Sequence, residues 1–503
     1  MTPPAAPDNA TDQPTGFVKA LTLTDATMLV AGSMIGSGIF IVSADIARTT
    51  AGSGWLILAW IVTGIMTLLG ALAYGELAAM FPRAGGQYVF LREAMGPLMG
   101  FLYGWTLFLV IQTGTIAAVG VAFGRFLGVL VPAVTPDLFS WFPHATVQTP
   151  GGAAEFGLSA QRLAALGCIW LVTFVNLRGV REGKLVQTTL TTVKLVSIGA
   201  LVVLGLTIGR SAPAVAANFS GSGLWGTSAL GSAFVITFGS VLVGSLFSSD
   251  AWNNVTFAAA EVQDASRNLP RALLFGTLIV TTLYCLVNVA YLQALPLVGD
   301  AAGPTAFARG IQHATQDRVA TAMVEQMFGG IAPALMAVAI IISAFGCTNG
   351  MILAGARVYW AMARDGLFFR SAGTINDRGV PSGALVAQAV WCSVLCLTGT
   401  YGQLLDYVIF AALIFYALTT IGLFVLRAKR PDAVRPYRAV GYPVLPALYV
   451  ALSASVAVIL LIADKTRAQA LTGLGIVLLG LPVYAFWRQS TGAETAPPAI
   501  RST

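Results

Sequence analysis

The sequence predicts an all-α membrane protein with twelve transmembrane helices, two of which are interrupted near their centres. Three observations support this fold class: the composition, the number of long apolar segments, and two stretches within such segments that are poor helix formers. Of the 503 residues, 56% are hydrophobic and only 10% are charged, whereas a soluble globular domain carries about 25% charged residues. We therefore expect most of the chain to lie in a lipid bilayer.

Twelve apolar segments are long enough to cross the bilayer, because a hydrocarbon core about 30 Å thick needs about 20 apolar residues per helix. The predicted spans cover residues 26–50, 52–80, 97–131, 158–177, 184–209, 230–262, 271–297, 330–363, 382–400, 402–427, 442–463 and 468–488. Together they form one membrane domain, residues 24–488. The polar ends, residues 1–23 and 489–503, are predicted to be disordered cytosolic tails, and the first of them does not resemble a cleavable signal peptide.

The basic residues predict how the spans are oriented. Lys and Arg residues cluster in the connectors that follow even-numbered spans, as in the Arg427–Arg438 segment, whereas residues 126–161 contain none. Positively charged connectors face the cytoplasm, so both termini are predicted to be cytoplasmic, in a multi-pass protein of the cell (inner) membrane. Topology thus explains the formal charge of +7, and no nucleic-acid partner is expected.

The first interruption lies in span one, where VAGSMIGSGIF, Val30–Phe40, contains three Gly and two Ser residues. Glycine inside a helix costs roughly 1 kcal/mol relative to alanine, and a broken helix in lipid leaves backbone N–H and C=O groups without water. Span six contains a second poor helix former, GSLFSSDAWNN, Gly244–Asn254. Unwound backbone at this depth is tolerated only where it lines a cavity or is buried in protein.

The two interrupted spans lie five spans apart and run in opposite directions, which is typical of an inverted five-plus-five repeat. Residues 26–209 would form the first repeat and residues 230–427 the second, with the last two helices, residues 442–488, outside the repeat. A packing cluster of small residues is the alternative explanation for the first stretch. The matching position of the second stretch favours a binding site.

The chemistry of helix ends predicts the ligand. The half-helix that begins after Ser37 presents unpaired N–H groups, which attract a carboxylate. The half-helices that end near Met34 and Phe247 present carbonyl groups, which attract an ammonium or a metal ion. A ligand that carries a carboxylate and an ammonium on adjacent atoms would satisfy both kinds of end. The interruptions therefore predict an α-amino acid as the ligand.

Other classes of membrane protein find less support. The two histidines, His144 and His313, lie outside the predicted spans, and the five cysteines lack metal-ligand spacing, so no metal site is expected. No other cofactor is predicted, and we do not expect an enzyme. A channel would favour a selectivity loop or rings of charge, which the sequence lacks. A transport-inactive nutrient sensor with the same fold remains an alternative.

Five segments resemble one family of membrane proteins. They are GSMIGSGIF (32–40), FPRAGGQYVFLREAMG (81–96), KLVQTTLTTVKL (184–195), FSSDAWNNVTFAAAEVQDASRNLPRAL (247–273) and SAFGCTNGMILAGARVYWAMARDGLF (343–368). Their pattern is similar to that of the amino acid–polyamine–organocation (APC) transporters, in particular the L-type amino acid transporter branch. The resemblance covers roughly residues 20–490 and implies a leucine-transporter-like fold in a prokaryotic member of the superfamily.

The resemblance implies sodium-independent transport of amino acids, with exchange of neutral L-amino acids by alternating access. A proton-coupled carrier, or a carrier of cationic amino acids or polyamines, is the alternative. Glu76 and Glu261 are candidate proton-coupling carboxylates, but pairing with loop arginines such as Arg83 and Arg267 is favoured. Animal members of the branch tether a heavy subunit through a cysteine between helices three and four. Residues 131–158 contain no cysteine, so no disulfide-linked heavy subunit is expected.

The resemblance also implies a substrate site at the two interruptions. Ser37 and Gly38 match positions whose backbone N–H groups hold the substrate carboxylate. Met34, Phe247 and Asp250 match positions whose carbonyl groups hold the amine, and Phe247 also matches an aromatic gate. The predicted substrate-binding residues, including a polar residue that supports helix six, are Met34, Gly36, Ser37, Gly38, Phe247, Ser248, Asp250 and Asn253. The Asp250 side chain could bind a cation, but capping of the break through its own backbone is favoured.

Lys194 is the remaining candidate residue. It lies ten residues beyond Lys184, which at 1.5 Å per residue places it about 15 Å into the bilayer. A lysine at that depth indicates a function by default, although a packing or snorkelling role is the alternative. The resemblance places Lys194 where sodium-coupled relatives of this fold bind their ion. Its ammonium would replace the ion and bridge helices one and eight.

Overall fold

The computed structural model describes residues 17–149, 152–226, 231–398 and 401–491, and most of them are helical. Nine helical segments of the described chain are long and apolar enough to cross a membrane. They are Ser53–Met80, Pro97–Leu130, Ala160–Leu177, Glu182–Leu206, Ala265–Ala294, Val319–Arg364, Val408–Lys429, Val444–Ile462 and Arg467–Trp487. The predicted all-α membrane class is thus confirmed, with the addition of one short β-hairpin.

The α-helices are numbered in chain order. The first ten are α1 (Leu23–Met34), α2 (Val42–Thr50), α3 (Ser53–Met80), α4 (Gln87–Met95), α5 (Pro97–Thr106), α6 (Gln112–Leu130), α7 (Ala160–Leu177), α8 (Val180–Leu206), α9 (Ala212–Phe219) and α10 (Gly221–Trp225). The others are α11 (Ser232–Ser248), α12 (Ala265–Ala294), α13 (Ala306–Arg309), α14 (Val319–Phe328), α15 (Ala332–Arg364), α16 (Ser382–Thr398), α17 (Tyr401–Lys429), α18 (Val444–Ile462) and α19 (Arg467–Thr491).

Shorter elements connect these helices. A π-helical segment, Leu107–Ile111, joins α5 to α6. Strands β1 (Ala145–Thr149) and β2 (Gly152–Phe156) form an antiparallel hairpin in which Ala145 lies opposite Phe156. The 3₁₀ segments are Gly38–Phe40, Trp252–Thr256, Ala259–Glu261, Thr315–Asp317, Gly329–Ile331 and Arg370–Gly373.

The predicted first span forms two helices, α1 and α2, with a gap between them. A capping box starts α1, because the Thr22 hydroxyl accepts from the Asp25 N–H and the Asp25 carboxylate accepts from the Thr22 N–H. The helix ends at Met34, after which Ile35 is extended, with φ −78° and ψ 92°. Glycine and serine residues therefore end α1 well before the span does, and α2 resumes at Val42.

The predicted sixth span is also interrupted, but in a different way. Helix α11 ends at Ser248, and Ala251 adopts a left-handed conformation with φ 61° and ψ 10°. That conformation costs a non-glycine residue roughly 1–2 kcal/mol. Two 3₁₀ segments, Trp252–Thr256 and Ala259–Glu261, then continue the chain toward α12.

The other predicted spans coincide with continuous helices whose ends differ from the prediction by a few residues. The largest difference is at α12, which begins at Ala265 rather than residue 271. Pro270 lies in its second turn, where a proline removes one hydrogen bond without ending this helix. Packing positions both interruptions centrally: α1 lies against α8, α12 and α15, and α11 lies against α2, α3 and α18.

Two segments outside the long helices are structured. The connector 131–158 contains the hairpin, which hydrogen bonds from Arg162 hold in place. Arg162 Nη1 donates to the carbonyl oxygens of Glu155 and Gly157, and to the carbonyl oxygen of Leu397 at the end of α16. Residues 17–22, assigned to the N-terminal tail, are also structured. Leu21 forms a parallel bridge with Val262. Residues 1–16 and 492–503 of the predicted tails lie outside the described residues.

The two buried glutamates are paired, but not with the predicted arginines. Glu76 Oε2 lies 2.5 Å from Arg427 Nη2, and its Oε1 lies 3.2 Å from Arg435 Nε. Glu261 Oε1 accepts from Arg357 Nε at 2.8 Å, and both side chains are 1% exposed. These arginines replace the predicted Arg83 and Arg267 as partners because tertiary packing brings α15, α17 and the connector after α17 to the glutamates. Both carboxylates are therefore charge-compensated.

Candidate functional site

The two interruptions meet at one small cavity, which we call the central cavity. Its volume is about 10 Å³, which is room for about one water molecule. It is lined by Ser33, Met34, Gly36, Ser37 and Gly38 of the first interruption, by Phe247, Ser248, Asp250 and Ala251 of the second, and by Thr115, Val119 and Cys347. Of the predicted site residues, only Asn253 and Lys194 lie outside this lining. A cavity of this volume cannot hold an amino acid, so such a ligand requires its walls to move.

Glycine is needed where the two interruptions touch. A Cβ atom at Gly38 would lie 2.2 Å from the Oγ of Ser248 and 3.1 Å from its Cα. A Cβ at Gly36 would lie 3.2 Å from the Sγ of Cys347 on α15. Any side chain at Gly38 would therefore push the end of α11 away, while Gly36 sets the distance between the first break and α15.

The first interruption presents donors to the cavity. Its chain makes local bonds from the Gly36 N–H to Met34 O at 3.0 Å and from the Phe40 N–H to Ser37 O at 3.1 Å. Within the described chain, the N–H groups of Ser37 and Gly38 find no backbone acceptor. The hydroxyls of Ser33 and Ser37 are likewise buried without a hydrogen-bond partner among the described residues. This stretch can therefore offer several donors to an anionic group.

The carbonyl groups at the ends of α1 and α11 are not free, contrary to the sequence-based expectation. Met34 O accepts from the Gly36 N–H and also lies 3.1 Å from the Tyr284 hydroxyl, which lies 3.0 Å from Ser248 O. Phe247 O accepts from the Asp250 N–H at 3.1 Å. A carbonyl oxygen has two lone pairs, so these groups can exchange a partner for a ligand. Sequence reasoning missed Tyr284 because it lies in a regular helix, outside both interruptions.

Asp250 is buried beside the second interruption. Its Oδ1 accepts from the Tyr416 hydroxyl on α17 at 2.5 Å, and no basic side chain of the described chain lies within ion-pair distance of it. It lines the central cavity and also a second cavity of about 10 Å³, whose polar lining includes Gln87, Gln112 and Asn253. Nothing in the local sequence signals the partner Tyr416, which lies 166 residues away in the chain.

Asn253 does not face the central cavity but supports the second interruption. Its Nδ2 donates to Gln87 Oε1 at 2.8 Å, and Gln87 Nε2 donates to Thr419 Oγ1 at 3.0 Å. These bonds link the 3₁₀ segment Trp252–Thr256 to α4 and α17. The interrupted sixth span is thereby held against helices from both halves of the chain.

Lys194 lies on α8, 1% exposed, directly behind the first interruption. Its Nζ donates to three carbonyl oxygens: Gly32 at 2.6 Å, Ile35 at 2.8 Å and Ser343 at 3.2 Å. Gly32 and Ile35 belong to the end of α1, and Ser343 lies on α15. The ammonium thus bridges the first and eighth predicted spans, and it donates to two carbonyl groups of the unwound chain, one of which, Ile35 O, also accepts from the Ser343 hydroxyl at 3.2 Å.

Two larger cavities open at opposite ends of the interrupted sixth span. The hairpin-side vestibule, about 810 Å³, is lined by residues that include Asp45, Arg48, Glu155, Arg162 and Gly244. The α4-side vestibule, about 1040 Å³, is lined by residues that include Arg92, Val262, Asp264, Trp360 and Arg364. From Gly244 through Phe247 and Asn253 to Val262, the chain passes from one vestibule, past the two small cavities, to the other.

Side chains are in contact beside each vestibule. On the hairpin side, Arg48 Nη1 lies 2.5 Å from Asp317 Oδ1. Phe247, which lines the central cavity, follows Gly244 of the vestibule lining by about one helical turn. On the α4 side, Phe17 packs edge-on against Trp360, with ring centroids 4.8 Å apart.

In the described residues, no group of three or more His, Cys, Asp or Glu side chains is placed to hold a metal ion.

Comparison with known proteins identifies the family. The chain matches the family described as "Amino acid permease" over residues 21–481. It is 30% identical over 474 residues to the serine/threonine exchanger SteT of Bacillus subtilis (strain 168), covering 93% of this chain and 97% of that protein.

More distant relatives come from animals. The human large neutral amino acids transporter small subunit 2 is 28% identical over 483 residues, covering 93% of this chain and 81% of that protein. The mouse b(0,+)-type amino acid transporter 1 is 28% identical over 429 residues, covering 84% of this chain and 79% of that protein. The chain therefore belongs to the amino acid permeases of the APC superfamily, and it is a multi-pass membrane transporter rather than an enzyme.

Proposed function

We propose that the chain is a sodium-independent exchanger that moves neutral L-amino acids by alternating access between the two vestibules. The observation that carries this proposal is the meeting of the two helix interruptions at the central cavity. N–H groups and serine hydroxyls of the first interruption, which have no partner in the described part of the chain, lie there beside the carbonyl-bearing ends of α1 and α11. A zwitterion with adjacent carboxylate and ammonium groups is complementary to such ends.

The proposal includes twelve spans in a five-plus-five inverted repeat. To the nine candidate spans we add α1 with α2, α11 with the 3₁₀ segments after it, and α16, which has 17 residues. Each interrupted span consists of shorter helical pieces, so neither appears as one long helix. On this reading α1–α8 and α11–α17 form the two repeats, and α18 and α19 lie outside them.

The distribution of basic residues supports an orientation with both termini in the cytoplasm, in the cell (inner) membrane. We also propose that the chain works without a disulfide-linked heavy subunit. This rests on the lack of cysteine in the connector 131–158. The hairpin-side vestibule would then face outward and the α4-side vestibule inward.

Each group at the central cavity has a proposed role. The N–H groups of Ser37 and Gly38 would bind the substrate carboxylate, aided by the Ser37 hydroxyl. The carbonyl oxygens of Met34 and Phe247 would bind the ammonium, each in exchange for one present partner. The Phe247 side chain would act as the lid between the cavity and the hairpin-side vestibule. None of these roles requires a metal ion or another cofactor.

Sodium independence and exchange rest on Lys194. Its ammonium occupies a position surrounded by carbonyl oxygens of α1 and α15, which is the environment that a sodium ion would need. A fixed cation is neither bound nor released during the cycle, so it supplies no free energy for the return of the empty carrier. A second amino acid must then supply the differential binding that returns it.

The relatives indicate which substrates to test. The relative SteT is described as a serine/threonine exchanger, and we propose L-serine and L-threonine as the first substrates to test. The animal relatives include a large neutral amino acids transporter, so larger neutral side chains belong in the same panel.

A second candidate function, transport of cationic amino acids, is favoured by Asp250. A buried carboxylate without a basic partner is costly, and Asp250 lies between the central cavity and the polar cavity that contains Gln87. A substrate with a cationic side chain could compensate that charge. The sequence favours a cap on the backbone of the break itself; we keep a structural role for Asp250 and assign it to the bond with the Tyr416 hydroxyl.

The test is a flux assay with the purified protein in liposomes. We expect uptake of radiolabelled L-serine into vesicles preloaded with L-serine, little uptake into empty vesicles, and no change when choline replaces external sodium. Competition by a panel of L-amino acids would define the substrate class. Strong sodium stimulation would contradict the proposed role of Lys194, and equal uptake into empty and preloaded vesicles would contradict exchange. Binding without flux would identify a nutrient sensor instead.

A further inference from the structure

The hairpin-side vestibule holds more basic than acidic side chains. Those of the described chain that line it are Arg48, Arg125, Arg162, Arg318 and Lys465, together with Asp45, Glu155 and Asp317. In the proposed orientation this vestibule faces outward, where Lys and Arg residues are normally scarce because positively charged connectors face the cytoplasm. The rule that accounts for the cytoplasmic basic residues therefore does not account for these, and each needs a reason in the structure.

Three of the basic groups are held by structural contacts. Arg48 Nη1 lies 2.5 Å from Asp317 Oδ1, and Lys465 Nζ lies 3.2 Å from Asp45 Oδ1. Arg162 donates to the carbonyl oxygens that hold the hairpin in place. The positive charges of Arg48 and Lys465 are thus compensated by ion pairs, and Arg162 has a role in the fold.

Arg318 has no comparable contact. In the described chain its guanidinium makes one hydrogen bond, from Nη2 to the side-chain oxygen of Gln316, and no acidic side chain lies within ion-pair distance of it. Its Nε is buried without an acceptor among the described residues. The guanidinium lies over the ring of Phe126 on α6, 5.7 Å from the centroid. Burial and the neighbouring charge of Arg125 lower the pKa of Arg318 to about 10.

A tight turn brings Arg125 and Arg318 together. Gln316 and Asp317 both have left-handed backbone, with φ 53° and φ 60°, a conformation that is unfavourable for residues other than glycine. In this turn the backbone oxygen of Gln316 accepts from Arg125 Nη2, and its side-chain oxygen accepts from Arg318 Nη2. Two guanidinium groups therefore converge on one residue of the vestibule wall. A guanidinium presents its N–H groups in a planar fork that matches the two oxygens of a carboxylate.

We infer that Arg318, with Arg125 beside it, forms an outer carboxylate site that takes the carboxylate of an external amino acid before this ligand reaches the central cavity. The inference rests on the proposed function and deepens it, because it adds a first binding step on the outer side. A carboxylate at this position would compensate two like charges that the fold places side by side. It would also accept from N–H groups of Arg318 that the described chain leaves without an acceptor.

The vestibule suits an amino acid better than a simple anion. Its volume is about 810 Å³, whereas the central cavity has about 10 Å³, so a whole amino acid fits in the vestibule before the central cavity opens. Glu155 on β2 lines the same vestibule, and no basic side chain of the described residues lies within ion-pair distance of its carboxylate. A ligand with both a carboxylate and an ammonium can therefore find a partner of each sign there. Chloride shares only the negative charge, and the test below distinguishes it.

The test measures exchange of radiolabelled L-serine by preloaded membrane vesicles, right-side-out and inside-out, which expose opposite faces of the carrier. Arg318→Gln is compared with the matched control Lys465→Gln, which removes the same charge from the same vestibule but not from the site. We expect Arg318→Gln to raise the KM for external L-serine at least about tenfold in right-side-out vesicles, as for loss of a charge-assisted hydrogen bond. Its maximal rate and its KM in inside-out vesicles should change by less than about threefold, as should all values for Lys465→Gln.

The outcomes separate an outer binding site from a structural or general charge effect. The inference is overturned if Arg318→Gln leaves the external KM unchanged, raises it equally at both faces, or changes it no more than Lys465→Gln does. A lowered unfolding midpoint of Arg318→Gln would indicate a structural role and also overturns it, because loss of a cation beside Arg125 should leave stability unchanged or raised. If Arg318→Gln does not fold, Arg318→Lys decides, since lysine keeps the charge but lacks the planar fork. The external KM must then rise at a constant maximal rate, and an unchanged KM overturns the inference.

Two further results identify what fails. Replacement of external chloride by a bulky sulfonate should leave wild-type exchange unchanged. A loss of exchange that occurs in the wild type but not in Arg318→Gln would show that the site binds an inorganic anion, and the inference would be wrong. If the wild-type protein exchanges no amino acid, the proposed function fails. Intact wild-type exchange with no effect of Arg318→Gln on the external KM rejects the outer site alone.

Discussion

The two helix interruptions meet at one cavity but are built from different chemistry. The first relies on glycine, since a Cβ at Gly38 would lie 2.2 Å from Ser248 Oγ. The carbonyl groups around it are bonded from behind by a cation, Lys194. The second contains no glycine between Ser245 and Asn254. It turns instead through the left-handed Ala251, and a carboxylate, Asp250, is bonded to Tyr416.

The difference indicates that the two interruptions have different roles. At the first interruption, N–H groups and serine hydroxyls have no partner among the described residues, while carbonyl groups accept from Lys194 on α8 and from the Ser343 hydroxyl on α15. At the second, the serine hydroxyl of Ser248 is already bonded to Gly244 O at 2.8 Å. We interpret the first interruption as the ligand-binding backbone and the second as the part that supplies the lid and a side-chain environment.

The strongest test of this comparison is Gly38→Val. A valine side chain would collide with the end of α11 and block the approach of a carboxylate to the N–H groups. Overpacking of about 3 kcal/mol corresponds to roughly a hundredfold loss, so we expect exchange of L-serine to fall by at least that factor. The measurement is uptake by purified, monodisperse protein in preloaded liposomes. Ser249→Val, in the second interruption, is the comparison variant and should retain more activity. Substantial transport by folded Gly38→Val would contradict the proposal that the N–H groups of the first interruption bind the substrate carboxylate.

Next in expected effect is Lys194→Ala. It removes the ammonium donor of three carbonyl groups. Ile35 O keeps the Ser343 hydroxyl at 3.2 Å and Ser343 O lies inside α15, but Gly32 O loses its donor, and an unsatisfied buried group costs about 1–3 kcal/mol. We expect a lower unfolding midpoint and a loss of exchange of at least about tenfold, with L-serine binding less affected. Lys184→Ala is the matched control on the same helix. Its ion pair with Asp25, at 2.6 Å and with a 30% exposed lysine side chain, should contribute at most about 1 kcal/mol. Equal effects of the two variants would contradict a special role for Lys194.

Much of this architecture is predictable from the sequence because lipid imposes simple rules. Apolar length predicts the spans, and the Gly- and Ser-rich stretch in span one predicts the end of α1 near Met34. The depth of Lys194 can be estimated from helix rise alone. These features depend on local sequence and on the thickness of the bilayer, so no tertiary information is needed to see them.

The partners of the site residues are not predictable in the same way. Tyr284 and Tyr416 lie in regular helices with no unusual local composition, and each reaches an interruption in another part of the chain. Glu261 likewise pairs with Arg357, 96 residues away, rather than with nearby Arg267. Such contacts depend on the rotation of packed helices about their axes, which the apolar pattern of an all-round hydrophobic helix leaves open.

A smaller effect is expected from the serines, where the two interruptions should respond differently. Ser37→Ala removes a hydroxyl that has no partner in the described chain, so the unfolding midpoint should stay constant or rise. If that hydroxyl binds the substrate carboxylate, Kd for L-serine should weaken by about three- to tenfold. Ser248→Ala removes a hydroxyl bonded within α11 and should leave Kd nearly unchanged. The measurements are equilibrium binding of L-serine and thermal unfolding of both variants. A weaker Kd for Ser248→Ala alone would indicate that the second interruption, and not the first, binds the ligand.

The smallest effect on exchange of neutral substrates is expected from Asp250→Asn. Asparagine has the same shape, and its side-chain oxygen can still accept from the Tyr416 hydroxyl, so the link between α11 and α17 survives. If Asp250 only positions the second interruption, L-serine exchange should change by less than about threefold, within the net value of one hydrogen bond. If its charge also binds a cationic side chain, any uptake of L-lysine or L-arginine by the wild-type protein should disappear in this variant.

Tyr416→Phe is the complementary change, since it keeps the charge and removes the link. A structural Asp250 predicts that Tyr416→Phe impairs L-serine exchange more than Asp250→Asn does, whereas a cation-binding Asp250 predicts that Tyr416→Phe leaves cationic uptake in place. Loss of all transport in Asp250→Asn would contradict both readings, because neither assigns the negative charge a role in moving a neutral amino acid.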